Sequence, residues 1–165
     1  MTTIRIGLLA DTHLSAPEAQ FRARVAACFA GTDLILHAGD LTELGVLAAF
    51  GDRVVHAVHG NMCAPAACQA LPRKKTICAG RWTIGLIHRA GNSYDFEELL
   101  LDEFPEADCI VYGHTHRPVC HRLGRTLLVN PGSFSGTGRY GAPGTYAILE
   151  AGDQLIGRLH EVPRS

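Results

Sequence analysis

The stretch YGHTHRPV, residues 112–119, sets His114 and His116 one residue apart directly after the apolar run DCIVY. Residues i and i+2 of an extended segment share one side, so both imidazoles can serve one site. Residues of the same chemical kind recur wherever an apolar run gives out: Asp11 with His13, then Asp40, Asn61, His88 and Asn130. Glycine flanks most of them, in AGD, HGN, HRAG, YGH and NPGS, where it lets backbone approach a bound ion or phosphate closely.

Asp11, His13, Asp40, Asn61, His88, His114 and His116 together offer carboxylate, amide and imidazole donors. Such a mixed set suits manganese, iron, zinc or nickel better than calcium, and it is too rich for one ion. Shared between two ions about 3.5–4 Å apart, it leaves positions open for water and substrate, as a two-metal hydrolase requires. Any one of these motifs alone is better explained otherwise. An isolated Asp at a strand end caps a turn, and an isolated His-x-His is a surface or packed pair. Caps do not explain why every strand end in the series carries a metal-ligand type.

The elements that must position these residues are legible from periodicity. Residues 3–11 run apolar as a buried strand ending at Asp11. A helix follows, opened by Ser15 and Glu18 as a capping box, striped with Phe21, Val25, Cys28 and Phe29, and closed by Gly31. DLILHAGD is a second strand, a short helix begins near Thr42, and RVVHAVHGN is a third strand. This β-α-β-α-β order implies a parallel sheet. MCAPAACQALPR reads as a loop with room for one helical turn. A hairpin about Gly80 ends at His88, a helix is stopped by Pro105, and a strand leads into His114. Hairpins about Gly124 and Gly152 complete the chain. The strand count is high for 165 residues. Two sheets packed face to face and flanked by helices, in one domain spanning residues 1–165, fit it better than one open sheet.

Composition narrows the function. A net charge of -1 gives no basic footprint, which argues against a nucleic-acid polymer as substrate. No segment approaches a membrane span and the first residues do not form a signal peptide, so a cytoplasmic protein is expected. The six cysteines contain no Cys-x-x-Cys pair and read as free thiols, with Cys28, Cys78 and Cys109 inside apolar runs. The oligomeric state is left open, a homo-oligomer included.

In order, ADTH, HAGD, HGN, IH, GHTH and NPGS resemble the motifs of the calcineurin-like metallophosphoesterases. The branch they look like is that of the small YfcE-type phosphodiesterases, whose fold is shared with the retromer scaffold subunit. The resemblance implies a four-layer αββα sandwich of two mixed sheets, with a dinuclear site at the C-terminal strand ends. It also implies a first metal on Asp11, His13, Asp40 and His116. A second would lie on Asp40, Asn61, His88 and His114, with Asp40 shared. Manganese is the first choice, with nickel, zinc, iron or magnesium as alternatives. Asp40, Asn61 and His114 are the catalytic candidates, and no side-chain nucleophile is needed: hydroxide bridging the two ions would attack phosphorus in line. The expected activity is hydrolysis of a small phosphate ester, a diester in preference to a monoester. The rival is a protein-binding scaffold of the same fold with little or no catalysis.

This sequence departs from the family in two places. After Asn61, Met62 and Cys63 stand where a histidine and an acidic residue are usual, so no general acid for the leaving group is evident. Arg89 follows His88 where the branch has glycine, and its planar fork suits a phosphate clamp. His37 is expected behind the ligands, orienting one of them. His59 is a weaker site candidate. His56, His121 and His160 are read as structural, and Asn130 and Ser133 as shaping the loop around the site.

Overall fold

The computed structural model describes residues 2–14, 18–91, 96–136 and 142–163. Two five-stranded mixed sheets stack face to face. The first holds β1 (Ile4–Leu9), β2 (Leu34–His37) and β3 (Val54–Ala57), all parallel, with the hairpin of β9 (Thr145–Ala151) and β10 (Leu155–Glu161) added antiparallel beside β1. The second has β5 (Trp82–Ile87), β6 (Cys109–Val111) and β8 (Thr126–Asn130) parallel at its centre. The antiparallel strands β4 (Lys74–Ala79) and β7 (Val119–Leu123) flank them. Helix α1 (Ala19–Cys28) and a 3-10 helix (Leu44–Phe50) cover the outer face of the first sheet. Helix α3 (Phe96–Glu103) covers the second, and the short α2 (Pro65–Ala70) links β3 to β4.

Strand alternation builds the layers. Ile6, Leu8 and Ala10 of the first segment meet Ile84, Leu86, Cys109, Val111 and Val129 in the dry space between the sheets. The intervening Leu9 turns outward to Phe21, Val25 and Phe29, while Ile87, Ile110 and Leu128 turn outward to Leu100 and Phe104. Two glycines let the helices sit close. A Cβ on Gly7 would lie 2.4 Å from the Phe29 ring, and one on Gly85 would lie 2.5 Å from the Phe104 ring. Each phenyl therefore rests on bare backbone, one on each outer face. Three apolar interfaces between four layers give the expected αββα sandwich.

Local outcomes differ in places. Ser15 lies outside the described residues; Glu18 itself is the N-cap of α1 and makes no side-chain capping bond. The short helix after Asp40 is 3-10 and starts at Leu44, because Thr42 takes a left-handed φ of 70° that a helix cannot include. Residues 65–70 exceed one turn, with Pro65 in the first turn, where its missing N–H is harmless. Cys78 is exposed and not buried with Cys28 and Cys109, since Ile77 and Ala79 take the inward face of β4.

Candidate metal centre

Because β1, β2 and β3 run parallel in one sheet and β5, β6 and β8 in the other, their C-terminal ends deliver six loops to one edge of the sandwich. Backbone bonds lock these loops together. Asp11 N–H donates to Gly39 O and His13 N–H to Asp40 O, both at 2.9 Å, and Gly113 N–H donates to His88 O at 3.0 Å. Ser133 Oγ donates to Asp11 O at 2.9 Å. Asn130 Nδ2 donates to Gly113 O and to Thr115 Oγ1, bracing the turn that carries His114 and His116.

Asp11, His13, Asp40, Asn61, His88, His114 and His116 meet here. Asp11 Oδ1 lies 3.4 Å from His116 Nε2 and 3.8 Å from both His13 Nε2 and His88 Nε2. Asp40 Oδ2 lies 3.3 Å from His88 Nε2 and 3.9 Å from His13 Nε2. Asn61 Oδ1 lies 2.9 Å from His88 Nε2 and 3.0 Å from His114 Nδ1. The two carboxylates are central. His13 and His116 face each other on one side at 3.4 Å; His88, His114 and Asn61 make the other. Within this cluster, Asp11, His13 and His116 form one set of three donor atoms mutually within 4.8 Å, and Asp11, Asp40 and His88 form another.

The backbone here departs from the expectation of extended segments. Among the described residues, non-glycine residues with positive φ are Asp11 (52°), His13 (51°), Asp40 (58°), Thr42 (70°), His114 (73°) and His116 (60°). Five of these six are candidate ligands. His114 and His116 accordingly do not project side by side from a strand: they diverge, His114 toward Asn61 and His116 toward Asp11. Left-handed backbone at non-glycine residues is strained and persists only where surrounding structure enforces it, which concentrates it at functional sites.

Electrostatics point to a cation. Asp11 is fully buried, and its Oδ2 accepts the His114 amide at 3.1 Å, but Oδ1 has no hydrogen-bond partner. Burial, only partly offset by the charge of His88, raises the Asp11 carboxyl to about 7. Burial also opposes ionisation of Asp40. The hydrogen bond and charge of His88, with the Met62 amide, outweigh it and hold Asp40 below its ordinary value. His88 is buried too, yet the acceptors around Nε2 raise it. Its Nδ1 donates to Ala38 O at 2.7 Å, which fixes the ring and aims Nε2 at the carboxylates. His114 and His116 are lowered, first by burial and then by neighbouring positive groups, Arg89 among those acting on His114. An orphaned buried carboxylate oxygen ringed by three imidazole nitrogens fits a divalent ion, and the donor set fits two.

Three glycines make the room. A Cβ on Gly60 would lie 2.1 Å from Asp40 Oδ1, one on Gly39 2.7 Å from His88 Nδ1, and one on Gly113 3.1 Å from Asp11 Oδ2.

His37 is wholly buried and held neutral, its pKa pushed down to about 3 by burial. Its ring hydrogen bonds go to Thr12 and the Gly39 backbone and not to a candidate ligand side chain. Gly39 N–H donates to its Nδ1 at 3.1 Å and its Nε2 lies 3.2 Å from Thr12 Oγ1, so it braces the loops carrying Asp11, His13 and Asp40. Cys63 Sγ accepts the Gly60 amide, as a structural thiol would. Met62, next to Asn61 in the chain, is 57% exposed. Arg89 and His59 line a cavity of about 300 Å³ beside Asn61 and His88. Arg73 lines it too, and nothing in the sequence pointed to it: in the run RKK it reads as a solvated charge. His56, His121 and His160 lie on Lys75, Glu97 and Tyr146 respectively, away from the centre.

Comparison with known proteins agrees with the family and fold that the motifs resemble. A probable metallophosphoesterase of Methanothermobacter thermautotrophicus is 33% identical over 133 residues, covering 78% of this chain and 76% of that protein. An archaeal phosphodiesterase structure superposes with a TM-score of 0.76 at 21% identity, covering 96% of this chain and 99% of that one. Vacuolar protein sorting 29 from Cryptosporidium parvum gives 0.76 at 18% identity, covering 98% and 92%. At such identities the two structures speak for the fold alone. The calcineurin-like phosphoesterase superfamily domain matches residues 4–154, and the chain belongs to that superfamily.

Proposed function

We propose that this metal-dependent phosphoesterase is a phosphodiesterase of small substrates, with one ion on Asp11, His13, Asp40 and His116 and a second on Asp40, Asn61, His88 and His114. The observation that carries the reading is Asp11 Oδ1, buried without a hydrogen bond at 3.4–3.8 Å from three imidazoles. Asp40 is taken as the shared ligand on the family resemblance: its Oδ2 faces both His13 and His88, as Asp11 Oδ1 also does, while its Oδ1 is tied to the Met62 amide. Two divalent ions held there would supply an activated water and neutralise charge on the phosphoryl oxygens. Manganese suits the mixed oxygen and imidazole donors.

The protein's own groups orient and exclude. His88 is locked by Ala38, and Asn61 offers a neutral oxygen between His88 and His114. Arg89, beside His88 and the cavity, clamps the non-bridging phosphoryl oxygens. Thr12 is buried against His37, and Cys63 is tied to Gly60, so neither serves as nucleophile. The resemblance to the small YfcE-type phosphodiesterases is what supports diester preference. A scaffold of the same fold would gain nothing from left-handed strain at five ligand positions, which favours the enzyme. Unpaired cysteines agree with a cytoplasmic location.

The test is activity of metal-stripped protein resupplied with manganese, nickel, zinc or magnesium, on nitrophenyl phosphate and bis-nitrophenyl phosphate. Manganese should restore turnover, faster on the diester. Metal binding without turnover of either ester would sink the enzyme reading. A monoester preference that Arg89→Ala removes would show that the clamp reverses the diester preference.

A further inference from the structure

The cavity beside Asn61 and His88 has walls that the centre itself does not explain. Arg73, just before β4, forms one wall, and Arg89, just after β5, forms another. His59 N–H donates to Pro72 O at 3.1 Å, tying the Arg73 wall to the loop that carries Asn61. Arg73 is pinned by Glu103 in a two-point pair, Nη1 to Oε2 at 3.1 Å and Nη2 to Oε1 at 2.6 Å. Lys74 Nζ donates to the same carboxylate at 2.9 Å. Two cations thus share one anion, leaving a surplus positive charge, and no carboxylate is among the described residues lining the cavity.

We infer that this cavity is a subsite for an anionic oxygen group, carboxylate or phosphate, carried on the alcohol portion of the ester. The inference rests on the phosphoesterase reading and names its substrate class. A pinned guanidinium loses little freedom when an anion docks, and its geometry suits oxygen pairs. Walls of arginine and histidine offer a neutral or apolar substituent no comparable contact.

The test uses manganese-loaded protein and three diesters that release the same nitrophenol. Their second alcohols are 4-carboxyphenyl, 4-phosphonophenyl and the neutral 4-carbamoylphenyl. Expected is a kcat/KM higher by roughly tenfold for an anionic ester over the neutral one, since a charge-assisted hydrogen bond is worth that much. The better of the two anions identifies the source. Arg73→Ala should bring the ratio to about one, and Arg73→Met, which keeps the side-chain bulk, should do the same if the alanine variant folds poorly. A wild-type ratio near one, or a ratio unchanged in a folded Arg73 variant, overturns the subsite. If none of the esters is hydrolysed, the phosphoesterase reading fails separately. Calorimetric binding of the corresponding phenyl diesters then applies the same anionic-to-neutral criterion to the cavity.

Discussion

Asp40 Oδ1 accepts the Met62 amide at 2.7 Å, and this bond turns Oδ2 toward His88 at 3.3 Å and His13 at 3.9 Å. Asp40 Oδ2 thereby faces histidines of both halves of the candidate centre. Asp40→Ala should abolish hydrolysis and lower bound metal from about two ions per chain to about one or none. Elemental analysis and the nitrophenyl assay check it together. Wild-type turnover by this variant in manganese would show that Asp40 is not the shared ligand.

Gly60 offers a different handle on the same carboxylate. A methyl group there would lie 2.1 Å from Asp40 Oδ1 and 2.7 Å from its amide nitrogen, and backbone cannot step aside as a flexible side chain can. Gly60→Ala should destabilise the fold by about 1–3 kcal/mol. Displacing the carboxylate should also weaken metal affinity by roughly 10–100-fold. Gly45 has nothing within 4 Å of its would-be Cβ, so Gly45→Ala should stay within about 0.5 kcal/mol of wild type. Denaturant melts and metal titrations of the two variants make the comparison; equal behaviour would mean that the crowding at Gly60 relaxes freely.

The sandwich was legible because alternation along Ile6, Leu8 and Ala10, or along Ile84 and Leu86, is a period-2 signal that burial enforces on every strand. The donor types at the strand ends were legible as a series. Their direction was not. Left-handed φ at Asp11, His13, His114 and His116 comes from tertiary bonds such as His13 N–H to Asp40 O, which no local pattern encodes. For the same reason His114 and His116 could be placed at one centre but not seen to diverge by spacing. Arg73 was invisible because its role depends on Glu103, a partner 30 residues away in sequence. Gly60 was readable as a close-approach glycine, yet only the folded chain shows that Asp40 is what approaches it.

His37 gives a pH prediction. It is buried and neutral, bonded to Thr12 and Gly39, with a folded pKa of about 3 against an ordinary value of 6.5. Its neutral form is the one the fold accommodates. The associated stability is therefore fully present above about pH 6.5 and is lost as pH falls toward about 3, because the unfolded chain takes up a proton that the folded chain refuses. The slope approaches about 1.4 kcal/mol per pH unit in that window. His37→Gln should destabilise the metal-free protein near neutral pH yet flatten this acid limb by about 1 kcal/mol per unit. Denaturant unfolding between about pH 4 and pH 7, in chelator, reads the difference. Parallel limbs would mean that His37 is protonated in the folded protein.

The missing leaving-group acid yields the last prediction. Met62 stands 57% exposed directly after Asn61, and it carries no proton to give. Its neighbour Cys63 is turned back to the Gly60 amide. Nitrophenolate departs as a stable anion and needs little help, whereas an alkoxide must be protonated as it leaves. Wild-type rates on phosphate diesters should therefore fall steeply as leaving-group pKa rises. Met62→His puts an imidazole directly after Asn61 while keeping the backbone N–H that holds Asp40, so the candidate ligands stay in place. It should raise the alkyl-ester rate by up to about 100-fold while changing the nitrophenyl rate little. The measurement is one series of diesters of graded leaving-group pKa, run on both proteins. A flat wild-type series would show that a proton donor is already present, and His59, which lines the adjoining cavity, would be the side chain to replace next.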